Sequence, residues 1–247
     1  MRFSELENSR VAILGTGREG LSVWRQIRKR FPDKPVSLYT ESDVPESLTR
    51  RVNEKVDHCF SGSFSVDKLK NYDVIVRSAG ISPYRKELQE LRAAGCRFTT
   101  ATNLWFAENP GAKTICITGT MGKSTTAALT AHLLKAAGVN VCLAGNIGRP
   151  MLDCDGESVD WWVIELSSYQ ISDLVAQPDI AVFLNLSEEH IDWHQGVDNY
   201  RTDKLRLAQL TAGGRIIANF TDDILVRNLG DELVDNWFNK VGCWQAE

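Results

Sequence analysis

The sequence predicts an α/β fold in which two parallel β-sheets follow one another along the chain. Short apolar runs alternate with helix-like stretches, the pattern of strand–helix–strand units joined by crossover helices. The apolar runs lie at 11–14, 36–39, 72–77, 97–98, 113–118, 141–144, 161–165, 180–185 and 215–219. The clearest helix-like stretches lie at 21–30, 86–94 and 124–137. Two glycine loops, each placed directly after an apolar run, indicate where ligands bind in such a fold.

A breaker cluster, Glu108-Asn109-Pro110-Gly111, separates the apolar runs into two series. Because proline and glycine interrupt helices and strands, we expect one domain over 1–109 and a second domain over 110–247. The second domain has few apolar runs near its C-terminal end. We therefore expect that domain to be incomplete at this end, and the chain to be a fragment of a longer protein.

Composition and charge narrow the classes of function. Of the 247 residues, 43% are hydrophobic and 24% are charged, which is typical of a soluble globular protein. The net charge of −4 argues against a nucleic-acid-binding surface. No apolar stretch approaches the roughly 18 residues that would span a bilayer, and the N-terminus lacks the apolar region of a signal peptide. The cysteines form no C-x-x-C pair and are expected to be free thiols, as in the reducing cytoplasm. Together with the lack of a membrane-spanning stretch, this predicts a cytoplasmic protein without membrane contact.

The first glycine loop is Gly15-Thr16-Gly17-Arg18-Glu19-Gly20, between an apolar run and a helix-like stretch. It matches the G-x-G-x-x-G fingerprint of a Rossmann-like dinucleotide site, and the acid Glu41 follows about 20 residues later. The same chemistry at a helix N-terminus would hold another diphosphate, such as that of a UDP-sugar. The fingerprint is weakly specific, so a tight turn without a ligand is the third interpretation.

The second glycine loop predicts ATP binding more strongly. It is one residue shorter between its glycines than the G-x-x-x-x-G-K-[ST] phosphate loop, but it has the required strand before it and helix after it. Its backbone amides would surround phosphate oxygens, Lys123 would reach the β- and γ-phosphates, and Ser124 would coordinate Mg²⁺. We therefore predict a parallel-sheet ATP-binding domain of the P-loop type. The predicted nucleotide-binding residues are Gly119, Thr120, Gly122, Lys123, Ser124 and Thr125.

An acidic side chain, Glu165, ends the apolar run at 161–165. In open α/β sheets the ligand binds at the carboxyl ends of the strands, so this carboxylate would face the ATP site. Carboxylate oxygens are good ligands for Mg²⁺, and Glu165 would hold the ion against the ATP phosphates. A solvated acid at the end of a strand is the alternative.

Two histidines, His190 and His194, follow the apolar run at 180–185. Their position at a strand end among acids favours a metal or phosphate role over a structural one, and Asp192 would orient one of the two rings. Lys204 lies further along in a helix-like stretch. Helical periodicity alone predicts that this lysine is exposed and has no special role.

Five segments occur in the order and spacing of one known family. They are Gly119–Thr125, Gly145-Asn146-Ile147-Gly148, Glu165–Gln170, His190-Ile191-Asp192 and Tyr200–Lys204. Together they resemble the Mur ligase family of bacterial cell-wall synthesis, with its G-T-x-G-K-[ST]-[ST], G-N-I-G, E-x-S-S-[FY]-Q, H-x-D and Y-x-x-x-K segments. The first glycine loop and Ser78–Pro83 resemble the member that adds glutamate to UDP-N-acetylmuramoyl-L-alanine. The set covers most of 113–207 and is highly specific.

The resemblance implies an ATP-dependent ligase that joins glutamate to UDP-N-acetylmuramoyl-L-alanine through an acyl phosphate, in peptidoglycan precursor synthesis. It implies Lys123, His190 and Lys204 as catalytic residues and two Mg²⁺ sites. Ser124 and Glu165 would hold the first ion. His190 would hold the second, supported by a carbamate formed on Lys204.

The resemblance also implies substrate-binding residues in both predicted domains. Thr16 and Gly17 would lie beside the uridine diphosphate. Asn146, Ser167 and Gln170 would contact the muramoyl substrate or ATP. The family's C-terminal domain, which supplies much of the amino-acid pocket, is absent from this sequence. We therefore expect the present chain to be inactive by itself, and the protein to act as a monomer.

The chain departs from the family pattern at three positions within these segments. Met121 stands in the phosphate loop where the family usually has asparagine, which puts one side-chain contact near the phosphates in doubt. Trp193 replaces the usual arginine after H-x-D. Asp203 precedes the lysine where a small residue is common.

Several functional alternatives remain open from the sequence. The D-glutamate ligase is the default, but the segments at 81–85 and 104–108 are similar to a variant group that adds L-glutamate. A nucleotide-binding module without ligase activity would explain the phosphate loop but leave Glu165 and His190 unexplained. An NAD-dependent oxidoreductase would use the first loop and leave Lys123 without a role. An inactive binding fragment is the last alternative.

Overall fold

The computed structural model describes residues 1–44, 46–53, 55–154 and 156–237. The chain forms two compact units. The first comprises Met1–Pro110 and Pro150–Gly156, and the second comprises Gly111–Arg149 and the chain from Glu157 onward. Within the described residues each unit contains a five-stranded sheet in which every strand pair is parallel, so the predicted α/β fold is confirmed. Residues 238–247 of the predicted second domain lie outside the described residues.

The strands of the first unit are β1 (Val11–Leu14), β2 (Val36–Thr40), β3 (Asp57–Ser61), β4 (Val74–Arg77) and β5 (Arg97–Thr99). Their order in the sheet is β3-β2-β1-β4-β5, which is the order of the Rossmann fold. This order reverses between β1 and β4. The glycine loop at 15–20 therefore leaves the sheet at the switch point where α/β folds bind their ligands.

The helices of the first unit are α1 (Arg18–Arg30), α2 (Glu46–Thr49), α3 (Val66–Leu69), α4 (Lys86–Ala93) and α5 (Ala101–Glu108). The sheet and α4 share a core in which Leu14, Ile75 and Leu88 are buried. Burial of such side chains is the main source of stability, at about 25 cal/mol per Å² of apolar surface.

A short segment at 150–156 completes the first unit, although it comes from the second half of the sequence. Its turn of 3₁₀-helix, Met151–Cys154, is fastened to α1 by polar contacts. The Arg25 guanidinium donates to Asp153 at 2.8 Å, and the Gln26 amide donates to the Leu152 carbonyl at 2.6 Å. The predicted domain limits of 1–109 and 110–247 did not include this segment, because its partners are more than 120 residues away in sequence.

The strands of the second unit are β6 (Thr114–Thr118), β7 (Val141–Gly145), β8 (Trp161–Glu165), β9 (Ile180–Phe183) and β10 (Arg215–Ala218). Their order is β10-β9-β6-β8-β7. The strand before the second glycine loop thus lies at the centre, and the carboxyl ends of β8 and β9 flank the loop on either side.

The helices of the second unit are α6 (Lys123–Ala136), α7 (Ser168–Ile171), α8 (Ile191–His194), α9 (Val197–Leu210) and α10 (Asp223–Trp237). A buried cluster that includes Ile117, Ala127 and Val163 joins α6 to the sheet. Among the described residues, every helix is too short or too polar to cross a lipid bilayer.

Neither β3 nor α5 was predicted from the sequence, and the short helices α2, α3, α7 and α8 were not predicted either. The strand β3 has the sequence Asp-His-Cys-Phe-Ser, so it lacks the apolar run by which the other strands were recognised. The helix α5 is buried from Ala101 to Phe106, so it lacks the polar face that produces a helical period. Every apolar run that the sequence predicted as a strand forms one.

Candidate functional site

The second glycine loop connects the central strand β6 to α6. Gly122 is the residue before the helix and has a φ of +79°, in the left-handed region that favours glycine. The first-turn amides of α6, from Lys123 to Thr125, have no acceptor within the helix and lie at the positive end of the helix dipole. The loop therefore has the backbone geometry of an anion-binding site.

Asn185, just after β9, fixes the shape of this loop. Its Oδ1 accepts from the amides of Thr120 and Met121 at 2.9 and 2.8 Å, and its Nδ2 donates to the Met121 carbonyl at 3.1 Å. These two amides are therefore engaged within the protein. Phosphate oxygens would be left with the amides of the first turn of α6, and the predicted contact between ATP and Thr120 remains a prediction.

The Glu165 carboxylate meets the loop at the end of β8 and is only 1% exposed. It accepts from the Ser124 hydroxyl at 3.0 Å and from the Asn146 amide at 3.0 Å. A hydroxyl and a carboxylate that already point at one another are the oxygen ligands that Mg²⁺ takes in nucleotide sites. The donor set thus fits Mg²⁺, with Asn146 holding the carboxylate in place.

Lys123 and Lys204 are close enough for their charges to interact. The Lys123 ammonium donates to the Thr120 carbonyl at 2.7 Å. Lys204 is only 3% exposed, so the expectation of an exposed helix lysine is wrong. Burial, together with the charge of Lys123, lowers the pKa of the Lys204 amine to about 7, against the opposing effect of Glu189. With a pKa of about 7, a substantial fraction of this amine is the free base near neutral pH.

The burial of Lys204 has a physical reason that the helical period does not contain. Tyr200, Lys204 and Leu207 share the inner face of α9, at the i, i+4 and i+7 spacing. The Lys204 ammonium lies 4.8 Å from the centre of the Tyr200 ring. In the sequence this face contains both polar and apolar residues, so it does not look buried. In the structure its polar members face the loop and neighbouring segments rather than solvent.

His190 is held in an unusual backbone conformation. It precedes α8 with a φ of +56°, and Gln195 after the helix has the same φ. Left-handed non-glycine residues carry strain and are concentrated at functional sites. The His190 ring lies 4.8 Å from the Tyr169 ring, and its Nε2 is 3.5 Å from the Glu189 carboxylate. Its role as a metal ligand remains a prediction.

The His194 ring does not pair with Asp192, the residue expected to orient one of the two histidines. Its Nδ1 lies 2.7 Å from the Asp203 carboxylate and its Nε2 lies 3.0 Å from the Ser168 hydroxyl. Both ring nitrogens are therefore engaged, and Asp203 rather than Asp192 orients this ring. Sequence reasoning noticed Asp203 only as a departure from the family pattern, because its partners come from other segments.

Two of the expected substrate contacts, Ser167 and Gln170, form a capping box at the start of α7. The backbone N–H of Gln170 donates to the Ser167 hydroxyl at 3.3 Å. The side-chain oxygen of Gln170 accepts from the backbone N–H of Ser167 at 3.0 Å. Gln170 is buried. Both residues therefore shape the chain directly after Glu165, and their contact with a substrate remains a prediction.

The first glycine loop, in the other unit, is packed by close backbone approach. A Cβ added to Gly20 would lie 2.0 Å from the Gly15 carbonyl oxygen, so this position requires glycine. The Ser78 hydroxyl donates to that same oxygen at 3.2 Å, and the Glu19 carboxylate accepts from the Ala79 amide at 3.0 Å. Thr16 and Gly17 lie directly before α1, where the first-turn amides have no acceptor within the helix.

The acid of the dinucleotide fingerprint is already paired. Both oxygens of Glu41 accept from the Arg85 guanidinium, at 2.8 and 2.9 Å. In a dinucleotide site this carboxylate accepts from the ribose hydroxyl. The pairing therefore disfavours the interpretation of the first unit as an NAD site, and it leaves both the diphosphate site and the tight turn without a ligand.

Comparison with known proteins decides the family. A model of the Mur ligase middle domain matches residues 117–241, about half of the chain. The chain belongs to the Mur ligase family. The match includes the phosphate loop, Glu165, His190 and Lys204, so it covers every predicted metal-binding residue, and the resemblance inferred from the sequence is confirmed.

Curated relatives of this Mur ligase are similar along its whole length. The UDP-N-acetylmuramoyl-L-alanine–L-glutamate ligase of Xylella fastidiosa (strain Temecula1) is 40% identical over 261 residues, covering 100% of this chain and 54% of that protein. The enzyme of the same name from Salinispora tropica is 37% identical over 235 residues, covering 95% of this chain and 51% of that protein. The chain thus spans about half the length of these relatives.

Solved structures give the same fold at lower identity. The UDP-N-acetylmuramate:L-alanyl-gamma-D-glutamyl-meso-diaminopimelate ligase of Neisseria meningitides matches with a TM-score of 0.55 at 20% identity, covering 96% of this Mur ligase and 76% of that chain. The UDP-N-acetylmuramate–alanine ligase of Thermotoga maritima matches with a TM-score of 0.51 at 16% identity, covering 91% and 52%. At these identities the likeness concerns the fold alone.

Proposed function

We propose that the protein carrying this chain is an ATP-dependent ligase that joins glutamate to UDP-N-acetylmuramoyl-L-alanine in peptidoglycan precursor synthesis. The observation that carries the proposal is the convergence of Ser124 and Glu165 at 3.0 Å beside the phosphate loop, with buried Lys204 close to Lys123. Relatives with the name of this ligase, at 37–40% identity, support the choice of substrates. A reaction that uses ATP and a UDP-linked precursor would take place in the cytoplasm.

The second unit binds ATP. The amides of the first turn of α6 and the Lys123 ammonium hold the phosphates, and Thr125 adds an amide at the same helix end. Ser124 and Glu165 hold one Mg²⁺, which would neutralise charge on the phosphate oxygens. Asn146 contributes by fixing the Glu165 carboxylate, to which it donates at 3.0 Å.

The reaction proceeds in two steps. The carboxylate of the alanine end attacks the γ-phosphorus of ATP, ADP leaves, and an acyl phosphate forms. The amine of glutamate then attacks the acyl carbon and loses a proton, and inorganic phosphate leaves as the amide forms. Both steps concentrate negative charge. The first-turn amides of α6 and the Lys123 ammonium, which oppose that charge, therefore supply most of the rate enhancement.

Lys204 takes part in this proposal as a carbamate. Its neutral amine adds CO₂ and loses a proton, so that the buried cation is replaced by a carboxylate. That exchange is favourable beside the Lys123 ammonium, because a buried like-charge pair becomes an opposite-charge pair. The new carboxylate and the His190 ring would hold the second Mg²⁺.

The first unit, residues 1–109 in the sequence-based division, binds the uridine diphosphate end of the substrate. The N-terminus of α1, with Thr16 and Gly17, supplies amides for the diphosphate. Ser167 and Gln170 of the second unit contact the substrate through the turn that they cap. The glutamate-binding domain expected for the family belongs to the part of the relatives that this chain does not span.

The amino acid is L-glutamate in this proposal. The sequence left D-glutamate as the default and L-glutamate as the alternative. The relatives from Xylella fastidiosa and Salinispora tropica carry the L-glutamate name, and the Xylella alignment covers the whole chain, including the variant-like segments at 81–85 and 104–108. These names favour the L-isomer.

Phosphate release by the complete protein tests the function. The protein is incubated with ATP, Mg²⁺ and UDP-N-acetylmuramoyl-L-alanine, and release is compared with L-glutamate, with D-glutamate and without an amino acid. We expect release that depends on the muramoyl substrate and on L-glutamate. Release with D-glutamate alone would reverse the isomer, and release that ignores both substrates would identify a simple nucleotide hydrolase.

A further inference from the structure

Three buried polar side chains form a continuous chain of hydrogen bonds in the second unit. The His194 ring lies between the Asp203 carboxylate, 2.7 Å from Nδ1, and the Ser168 hydroxyl, 3.0 Å from Nε2. Because an ionised carboxylate only accepts, Nδ1 donates to Asp203, and in the neutral ring Nε2 then accepts from Ser168. The exposed fractions are 0% for His194, 4% for Ser168 and 5% for Asp203.

This Ser168–His194–Asp203 chain has the residue types of a serine hydrolase triad, but its burial excludes that use. A nucleophilic hydroxyl must reach a substrate, and the Ser168 side chain is enclosed by protein. A buried polar network is costly to assemble, and when its members are satisfied it fixes the arrangement of the segments that supply them. Its role is therefore positional.

Each member of the chain lies close in sequence to one candidate catalytic group. Ser168 follows Glu165 by three residues and begins α7. His194 ends α8, which His190 precedes in its left-handed conformation. Asp203 is the residue directly before Lys204 on α9. The hydrogen bonds thus connect the three segments that carry the carboxylate, the imidazole and the amine of the proposed site.

A second contact ties α9 to the phosphate loop. The Tyr200 hydroxyl lies 2.8 Å from the Thr120 hydroxyl, which in turn donates to the Ser187 carbonyl at 3.0 Å. Two contacts therefore hold the stretch of α9 that contains Lys204. Tyr200 contacts the phosphate loop, and Asp203 contacts His194. This also gives a physical reason for the aspartate at 203.

We propose that the Ser168–His194–Asp203 chain is a positioning relay that holds the Lys204 amine at its place beside the phosphate loop. The consequence for turnover rests on the proposed ligase function. The placement of Lys204 does not, because it is a property of the folded chain. The two can therefore be tested separately.

The variants His194→Phe, Asp203→Ala and the double variant carrying both changes test the relay in the complete protein. Phenylalanine keeps a ring against Trp193 and Tyr200, which lie 4.5 and 5.3 Å from the His194 ring between ring centres. His194→Phe alone leaves the buried Asp203 carboxylate without its imidazole partner, so it lowers the melting temperature most. The double variant removes that carboxylate, and its melting temperature returns towards that of the wild type.

Turnover separates positioning from mere stability. We expect kcat to fall by about 10- to 100-fold in both single variants and to stay low in the double variant, with the KM for ATP nearly unchanged. Asp203→Asn, which keeps an acceptor for Nδ1, should recover part of the loss. If kcat of the double variant recovered together with its melting temperature, the proposal would be overturned.

Labelling of Lys204 gives a readout that does not need ligase activity. The proteins are treated briefly with acetic anhydride, and acetylation of each lysine is measured by mass spectrometry. We expect faster labelling of Lys204 in the double variant, with exposed Lys135 as the internal reference. Unchanged labelling would refute the relay even if the protein is a ligase, and faster labelling would support it even if no ligase activity is found.

Thr211→Val is the matched control on the same helix. It removes a buried hydroxyl that donates to the Leu207 carbonyl at 2.7 Å, at the end of α9 far from Lys204. We expect it to lower the melting temperature while leaving kcat and the labelling of Lys204 as in the wild type. A loss of kcat equal to that of Asp203→Ala would mean that general loosening of α9 explains the effect, and the relay would be rejected.

Discussion

The loops at 15–20 and 119–123 occupy equivalent places in their sheets. Each follows the strand at the centre of five parallel strands, and each leads into a helix of more than three turns. The opposite ends of the two sheets are also alike. Asp73 accepts from the Arg10 amide at 2.7 Å just before β1, and Asp179 accepts from the Thr114 amide at 2.8 Å at the start of β6.

The two loops differ in the side chains around them. The first is packed by Gly20 against the Gly15 carbonyl and by Ser78, and the acid that follows it, Glu41, is paired with Arg85. The second adds an ammonium group and a hydroxyl–carboxylate pair, the groups that phosphoryl transfer requires. In the proposed function, equivalent backbone geometry would provide two anion sites, and only the surrounding side chains would direct one of them to catalysis.

The largest expected effect comes from removing the cation of the second loop. Lys123→Ala should lower ligase turnover of the complete protein by about 1,000-fold, because the charge that opposes the developing phosphate charge is lost. The measurement is phosphate release at saturating substrates. The control is Lys135→Ala, which removes an exposed lysine from the last turn of the same helix and should leave turnover unchanged. Normal turnover in Lys123→Ala would remove the distinction drawn between the loops.

A smaller effect is expected from disturbing the first loop. Gly20→Ala should lower the free energy of unfolding by about 1–3 kcal/mol, because the added Cβ would lie 2.0 Å from the Gly15 oxygen and the backbone must shift. Urea unfolding measures the change. Gly80→Ala, where the added Cβ meets open space, is the control and should be close to neutral. Equal stabilities of the two variants would show that the close approach is not a constraint.

The smallest effect concerns the amino end of the first sheet. Hydrogen bonds from the side chain and amide of Arg10 lower the pKa of Asp73 to about 2. Because the folded pKa lies below the unfolded value near 4, the pair stabilises the fold at neutral pH, and this contribution disappears as the pH falls towards 2. Asp73→Asn should therefore be slightly less stable than wild type at pH 7 and equal to it near pH 2. The effect is small because both side chains are exposed to solvent.

Urea unfolding of both proteins at pH 7 and near pH 2 measures this difference in stability. A difference that grows towards low pH would contradict the assigned pairing of Asp73 with Arg10.

The strands and the two glycine loops were predictable because their signals are local. An apolar run such as 113–118 needs only its own residues to indicate a buried strand, and the glycines of each loop mark the turn that follows. The edge strand β3 was missed because Asp57, His58 and Ser61 leave it without an apolar run. The helix α5 was missed because burial on all sides removes the helical period.

The sequence by itself determined the two parallel sheets, the phosphate loop and the family segments, since each depends on residues that are neighbours along the chain. Only the tertiary structure decided that Lys204 is buried, that Asn185 fixes the loop, and that Asp203 holds His194. Asn185 and Thr120 are 65 residues apart, and Ser168 and His194 are 26 apart. A helical period predicts the face of the helix on which a side chain lies. It does not predict which other segments pack against that face. The groups that set the pKa of Lys204 and the orientation of Glu165 come together only when the segments pack.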